Sequence, residues 1–283
     1  MPPTSTLCLI RRLREAITMA RLGSYEWGEQ TDGILSAADR MRLLAGLIRA
    51  QVAEALSHAA KRFGSYRRRT TRVRLDTVAV PDSVATRVAD ELAGRYYTQA
   101  LRLHCLRTYY FGHLWAQFYG LRVDTETLYV ASLLHDLGLS PQFAKPSSCC
   151  GFAIVGAREA KQAVAKLHWP EERQRAVYEA ISYHLNPYLS IAKHEPEAVC
   201  LQRAAHLDVV GAGRHLLPLA AIADVHQRFP RHDFREEILA TMTAMVHAPN
   251  SHAAVLGKLG FAKLAAGNPL NGMPYSKHGP LSR

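Results

Sequence analysis

The sequence has no C-x-x-C pair and only five cysteines in 283 residues, Cys8, Cys105, Cys149, Cys150 and Cys200. An odd number without that spacing fits neither a disulfide framework nor a thiolate zinc site, and it points to a reducing, cytoplasmic compartment. Long apolar runs are missing as well. The longest, Leu216–Val225, is ten residues and contains Pro218 and Asp224, far short of the roughly 20 that span a bilayer, so no membrane partner is expected. Acids are scarce: 24 stand against 35 Lys and Arg, a net charge of +11. Five of the positive charges, Arg67, Arg68, Arg69, Arg72 and Arg74, form one short run ended by Asp76. No aromatic alternates with them and no nucleic-acid motif accompanies them, so a solvated loop is expected and nucleic acid is disfavoured as a partner. The first 22 residues carry Arg11, Arg12, Arg14 and Arg21 against Glu15, a pattern shared by transit peptides and, more commonly, by exposed basic helices.

What is present is an ordinary globular composition, 48% hydrophobic and 21% charged, with neither internal repeats nor low-complexity segments. Ser36 to Gly64 predicts an amphipathic helix. Ser36 and Asp39 make a capping box, Leu43, Leu44, Leu47, Ile48, Val52 and Leu56 recur at helical spacing, and Gly64 ends it. Residues 1–74 are expected to be an N-terminal helical appendage with a basic linker, residues 75–266 the main domain and 267–283 an irregular tail. The Arg/Thr/Val alternation between Ser65 and Val80 fits a short strand or, in preference, a linker. Every later segment predicts helix, starting at Asp82, near Gly94, at Asp124, near Gly151, at Pro170, at Pro196, near Pro218, at Asp233 and near Ser251. The fold class is therefore all-α. Ala100, Leu101, Leu106, Tyr110 and Leu114, and later Phe234, Ile238, Met242 and Met245, read as core-facing stripes.

Fourteen histidines are many. Most, including His58, His226, His232, His252 and His278, lie in polar surroundings that suggest surface. Four residues stand apart: His104 within an apolar helix, His135 and Asp136 after the apolar run Val130–Leu134, and Asp208 after Ala204, Ala205 and Leu207. Taken singly, each reads more readily as a packed histidine or a helix cap. Taken together, two imidazoles and two carboxylates placed where burial is expected would all be satisfied by one divalent transition metal, zinc or iron first and manganese next.

These residues resemble the H…HD…D signature of the HD-domain superfamily of metal-dependent hydrolases. The blocks HCLRTYYFG (104–112), LYVASLLHDLGL (128–139), GFAIVGAREA (151–160), VYEAISYHLNP (177–187) and HLDVVG (206–211) are similar to those of the cyanamide hydratase branch. The resemblance implies an HD-type helical bundle in which His104, His135, Asp136 and Asp208 hold the metal. Dinuclear members typically carry a further histidine four residues before the glycine that is here Gly156; this chain has Phe152 there, which implies a mononuclear centre. His184, at the position of another extra histidine, is then released to act as a base. Asp136 would orient the attacking water, while Arg107, Thr108 and Asn186 would contact substrate and Tyr110, Phe111, Phe152 and Leu185 would form an apolar pocket.

Three activities follow as expectations. The first is hydration or hydrolysis of a small uncharged molecule, nitrile-like or amide-like. The second is a phosphohydrolase acting on a nucleotide or other phosphate ester, which needs cationic clamps such as Arg107, Arg158, Lys145 or Lys193. The third and weakest is a nucleic-acid-binding protein with a structural metal. The basic run and oligomeric state are left without an assignment.

Overall fold

The computed structural model describes residues 20–273. Among them are fourteen α-helices, four short 3-10 turns and no strand; the one β-like contact is an isolated bridge between Ile34 and Ser251. The helices are α1 (Tyr25–Thr31), α2 (Ala37–Arg62), α3 (Arg67–Thr70), α4 (Val84–Tyr96), α5 (Gln99–Tyr119), α6 (Thr125–Leu134), α7 (Ala144–Ser147), α8 (Phe152–Ala165), α9 (Glu171–Tyr183), α10 (Pro196–Val210), α11 (Leu219–Arg228), α12 (Phe234–Ala244), α13 (His252–Lys258) and α14 (Phe261–Ala266). None is long and apolar enough to cross a membrane. The basic N-terminal pattern, apart from Arg21, and His278 lie outside the described residues.

Most helix starts follow local chemistry. Ser36 and Asp39 close a reciprocal capping box on α2, Ser83 and Thr86 do so on α4, and the Asp124 side chain accepts from the Glu126 and Thr127 amides at the start of α6. Helices α5 and α10 stop at Gly120 and Gly211, both left-handed, where the absence of Cβ removes the strain. Two expectations shift. Gly94 lies inside α4, and the next helix begins at Gln99 because the Thr98 hydroxyl caps it. The Ser65–Val80 stretch is neither strand nor featureless linker but contains α3 and the 3-10 turn Leu75–Thr77.

Helices α5, α6, α9 and α10 form the centre. α5 packs along α10, α8 along α9, and α6 sits among α4, α5, α9 and α10. Trp115, Tyr109 and Phe111 of α5, Leu128 and Leu133 of α6, Tyr178 of α9 and Leu207 of α10 are all buried in one continuous core. Packing crosses the expected boundary near residue 75, since Trp27, Leu35 and Leu43 join that same core. The apolar stripe of α2 behaves differently from its prediction. Leu43 is buried, whereas Leu44, Ile48, Val52 and Leu56 are exposed, because the face of this long helix that meets the body in its second half is the one carrying Glu54 and Ser57. Amphipathic spacing reports that a face is apolar, not what covers it.

Candidate metal centre

His104 lies in the second turn of α5, on the face turned into the bundle. The apolar run of α6 carries the chain inward until His135 ends it, and Asp136 follows with φ −101° and ψ 13°, in the bridge region common at functional turns. A close approach makes this turn possible. A Cβ on Gly138 would stand 2.1 Å from the Phe152 carbonyl oxygen, so only glycine lets the start of α8 press against the turn. His184 arrives at the end of α9. All four side chains are buried, the most open, Asp136, being 5% exposed.

Their ring protons are assigned by their partners. His104 Nδ1 is 2.7 Å from Asp208 Oδ2 and donates to it; His135 Nδ1 donates to the Ser132 carbonyl at 2.7 Å. The Nε2 atoms of both rings are thereby turned toward one another, 3.2 Å apart, with Asp136 Oδ2 3.3 Å from the His135 nitrogen and 3.5 Å from that of His104. Two nitrogen lone pairs and a carboxylate oxygen in such proximity repel unless a cation lies among them. Donors bound about 2.1 Å from one tetrahedral ion stand about 3.4 Å apart, so the three residues fit a divalent metal as they are.

The electrostatics agree. Burial works against the His135 imidazolium, yet the adjacent Asp136 carboxylate outweighs it and lifts His135 well above the ordinary histidine value. A proton there takes the place of the metal's charge. Burial would raise Asp136, but His135 overrides it and holds the carboxyl below its usual range. His184 is lowered to about 3, first by burial and then by the His135 charge. It is neutral at physiological pH, its Nδ1 donating to the Ile181 carbonyl at 2.6 Å and its Nε2 lying 3.7 Å from Asp136 Oδ1.

Asp208 does not join the converging set. Its carboxylate is fully buried, accepting from Arg107 Nε at 3.0 Å, from Arg231 and from His104 Nδ1, with Arg107 Nη2 in ion-pair contact at 2.9 Å. Burial would raise this carboxyl, but the two guanidiniums bring it well below its usual range. Asp208 stands beside His104 Nδ1, where it orients that ring.

The expected substrate contacts have partners of their own within the protein. Arg107 is fully buried and donates to the Pro230 and Phe229 carbonyls as well as to Asp208, so its guanidinium is committed within the core. Asn186 donates to the Leu22 carbonyl at 2.7 Å and pairs with His252, holding the N-terminal segment. The Thr108 hydroxyl is buried and makes no hydrogen bond, not even to its own helix. Of the expected apolar pocket, Phe152 and Leu185 share a small cluster with Phe234, and Phe152 lies beside His184 at 5.9 Å between ring centres. Phe111 and Tyr110 belong to the main core instead. Arg158 pairs with Glu29 and Asp32 rather than approaching the centre.

Sequence reasoning missed several neighbours. Arg231 seals Asp208 from a loop 23 residues away, with no spacing relation to reveal it. Phe234, read as a core stripe, stacks on the His104 ring at 4.5 Å. Half-buried Tyr97 and buried Cys105 border His135 and Asp136. His226 and His252, read as surface, are both buried, His226 lying 3.8 Å from Asp208.

Residues 102–210 match the family model of the HD domain. The matched span opens just before His104 and closes just after Asp208, which supports membership of the HD-domain superfamily. No curated protein matches the chain.

Proposed function

We propose that this chain is a metal-dependent hydrolase or hydratase that acts on a small uncharged electrophile, nitrile-like or amide-like, at a mononuclear centre. His104, His135 and Asp136 would hold the ion through Nε2, Nε2 and a carboxylate oxygen. When bound, a divalent ion there supplies Lewis acidity that makes water nucleophilic near neutral pH. Asp136 keeps its second oxygen directed toward His184, which gives a water on that side a carboxylate acceptor. The His184 Nε2 lone pair, kept unprotonated by burial, provides a second acceptor and so fixes how that water turns. A group so reluctant to take a proton positions water better than it stores a proton.

The observation that carries the substrate class is the commitment of the two guanidiniums nearest the centre. Arg107 and Arg231 both lie buried against Asp208 and donate to it and to backbone carbonyls. A phosphate ester brings about two negative charges and needs cationic donors aimed at them. An uncharged carbon needs none, and the apolar rings beside the centre, Phe234 on His104 and Phe152 near His184, suit an uncharged group.

The test is a panel of nitriles, including cyanamide, and small amides set beside nucleotides and simple phosphate esters, with metal content measured on the same preparation. Turnover of an uncharged member, lost together with the metal in Asp136→Ala, is expected. Efficient phosphate release with no turnover of uncharged members would instead establish the phosphohydrolase.

A further inference from the structure

A second cluster of ligating side chains, sharing no residue with this centre, involves α2. Glu54 and His58 are one helical turn apart there, and His215 reaches them from the loop that follows α10. One ligand atom from each lies within 4.8 Å of the others. His215 Nδ1 is 3.3 Å from Glu54 Oε1, and His58 Nε2 is 3.7 Å from the same oxygen. These separations again approximate the roughly 3.4 Å expected between donors on one tetrahedral ion.

Proton accounting makes the cluster more than a coincidence of residue types. The Ser57 hydroxyl donates its single proton to the Glu54 carbonyl at 2.8 Å. Its oxygen is also 2.8 Å from His215 Nε2, so that contact has the imidazole as donor. His215 then presents a bare Nδ1 to the Glu54 carboxylate. The His215 side chain is 8% exposed, and its Nδ1 has no hydrogen-bond partner. A buried lone pair facing a carboxylate oxygen is an arrangement that calls for a cation. Around it, the Gly213 amide donates to Glu54 Oε1 at 3.1 Å, and Lys61 donates to the His215 carbonyl, fixing the loop against the helix. The His58 ring stacks on His215, centres 3.5 Å apart. Being 58% exposed, it can tilt out of the stack to direct Nε2 at the ion.

We propose that Glu54, His58 and His215 form a second metal site, separate from the HD centre, that binds a divalent transition metal of zinc type and clips α2 to the loop after α10. Two imidazoles and one carboxylate are a borderline-soft N/O set suited to zinc rather than to calcium or magnesium. The Ser57 hydroxyl, bonded to the far nitrogen of His215, orients the ligand from behind. The site holds in place a helix whose second half otherwise shows an exposed apolar face, which gives the metal a structural role. Glu54 and Ser57 also line a cavity of about 200 Å³, so water has access to complete the coordination.

The experiment uses the full chain, stripped with a chelator and titrated with zinc alone, bound metal being counted by elemental analysis after gel filtration. Four proteins are compared: the wild type, His58→Ala, Asp136→Asn and the two changes together. The wild type should retain one equivalent more than His58→Ala, whose zinc affinity at this site falls by more than about tenfold, the lower end of what even an indirect partner of a ligand commands. Asp136→Asn should keep the α2 equivalent, and zinc should still raise its urea midpoint, a shift lost when His58→Ala is added to Asp136→Asn. Because each variant reports on a different centre, failure of the HD site leaves this comparison intact. Equal zinc stoichiometry and affinity in the wild type and His58→Ala would overturn the proposal.

Discussion

Replacing Arg107 with Met separates a guanidinium that clamps substrate from one that supports the fold. In the structure the group lies wholly inside the core. Its Nε reaches both Asp208 oxygens at 3.0 Å, its Nη2 reaches one of them at 2.9 Å, and Nη1 donates to the Pro230 carbonyl at 2.9 Å. Methionine retains most of the apolar stem, so the change isolates the charge and its donors. Removing one partner of a buried ion pair costs about 3–5 kcal/mol, largely because the remaining charge stays desolvated. Arg231 and His104 still hold Asp208, which puts the expectation near about 3 kcal/mol in urea denaturation at unchanged m-value. Arg107→Lys should recover little of this, since a point charge cannot reproduce the fork. With Asp208 less constrained, His104 loses its orienting acceptor and metal affinity should fall about 10- to 100-fold. The reasoning is refuted if Arg107→Met is destabilised by less than about 1 kcal/mol, keeps its metal and yet loses all turnover, because the guanidinium would then be working on substrate.

His184→Ala should retain the metal and lose about 10²-fold or more in turnover; loss of metal by elemental analysis would make it a ligand instead. Gly138→Ala should destabilise by at least about 1–3 kcal/mol, since its methyl meets the Phe152 carbonyl at 2.1 Å, and a urea midpoint equal to the wild type's would show that the turn yields without strain. Stability should also fall on acidification below the ordinary histidine range, because His206 and His252 are each lowered to about 4 by burial. The unfolded chain then takes up these protons before the folded one does, so their contribution is full well above pH 6.5 and is lost toward about 4, about 1.5 kcal/mol for each between pH 6.5 and 5. Urea midpoints that stay level from pH 7 to 5 in the wild type, or that fall as steeply in His206→Gln, would contradict this.

The site was legible in the sequence to the extent that one residue's surroundings announced its burial. His104 in an apolar helix and His135 after an apolar run could be recognised because a polar group at such a position demands a partner. Asp208 was found by the same rule, but its guanidinium partners were not: a buried carboxylate is satisfied equally by a metal and by guanidiniums, and nothing near Arg231 in the chain signals that the loop after α11 folds back onto α10. Helix starts were legible because Ser36, Ser83, Asp124 and Ser251 act on amides within three residues. The α2 stripe was not, since which apolar face meets the core depends on contacts far away in sequence. His58 shows the limit in the opposite sense. Polar neighbours correctly suggested an exposed histidine, while the reason to single it out, a bare nitrogen on His215 facing Glu54, exists only after α2 and a loop some 160 residues later have been brought together. Chemistry carried by one element can be read from its own sequence; chemistry shared between two elements becomes visible only when the fold sets one lone pair against another.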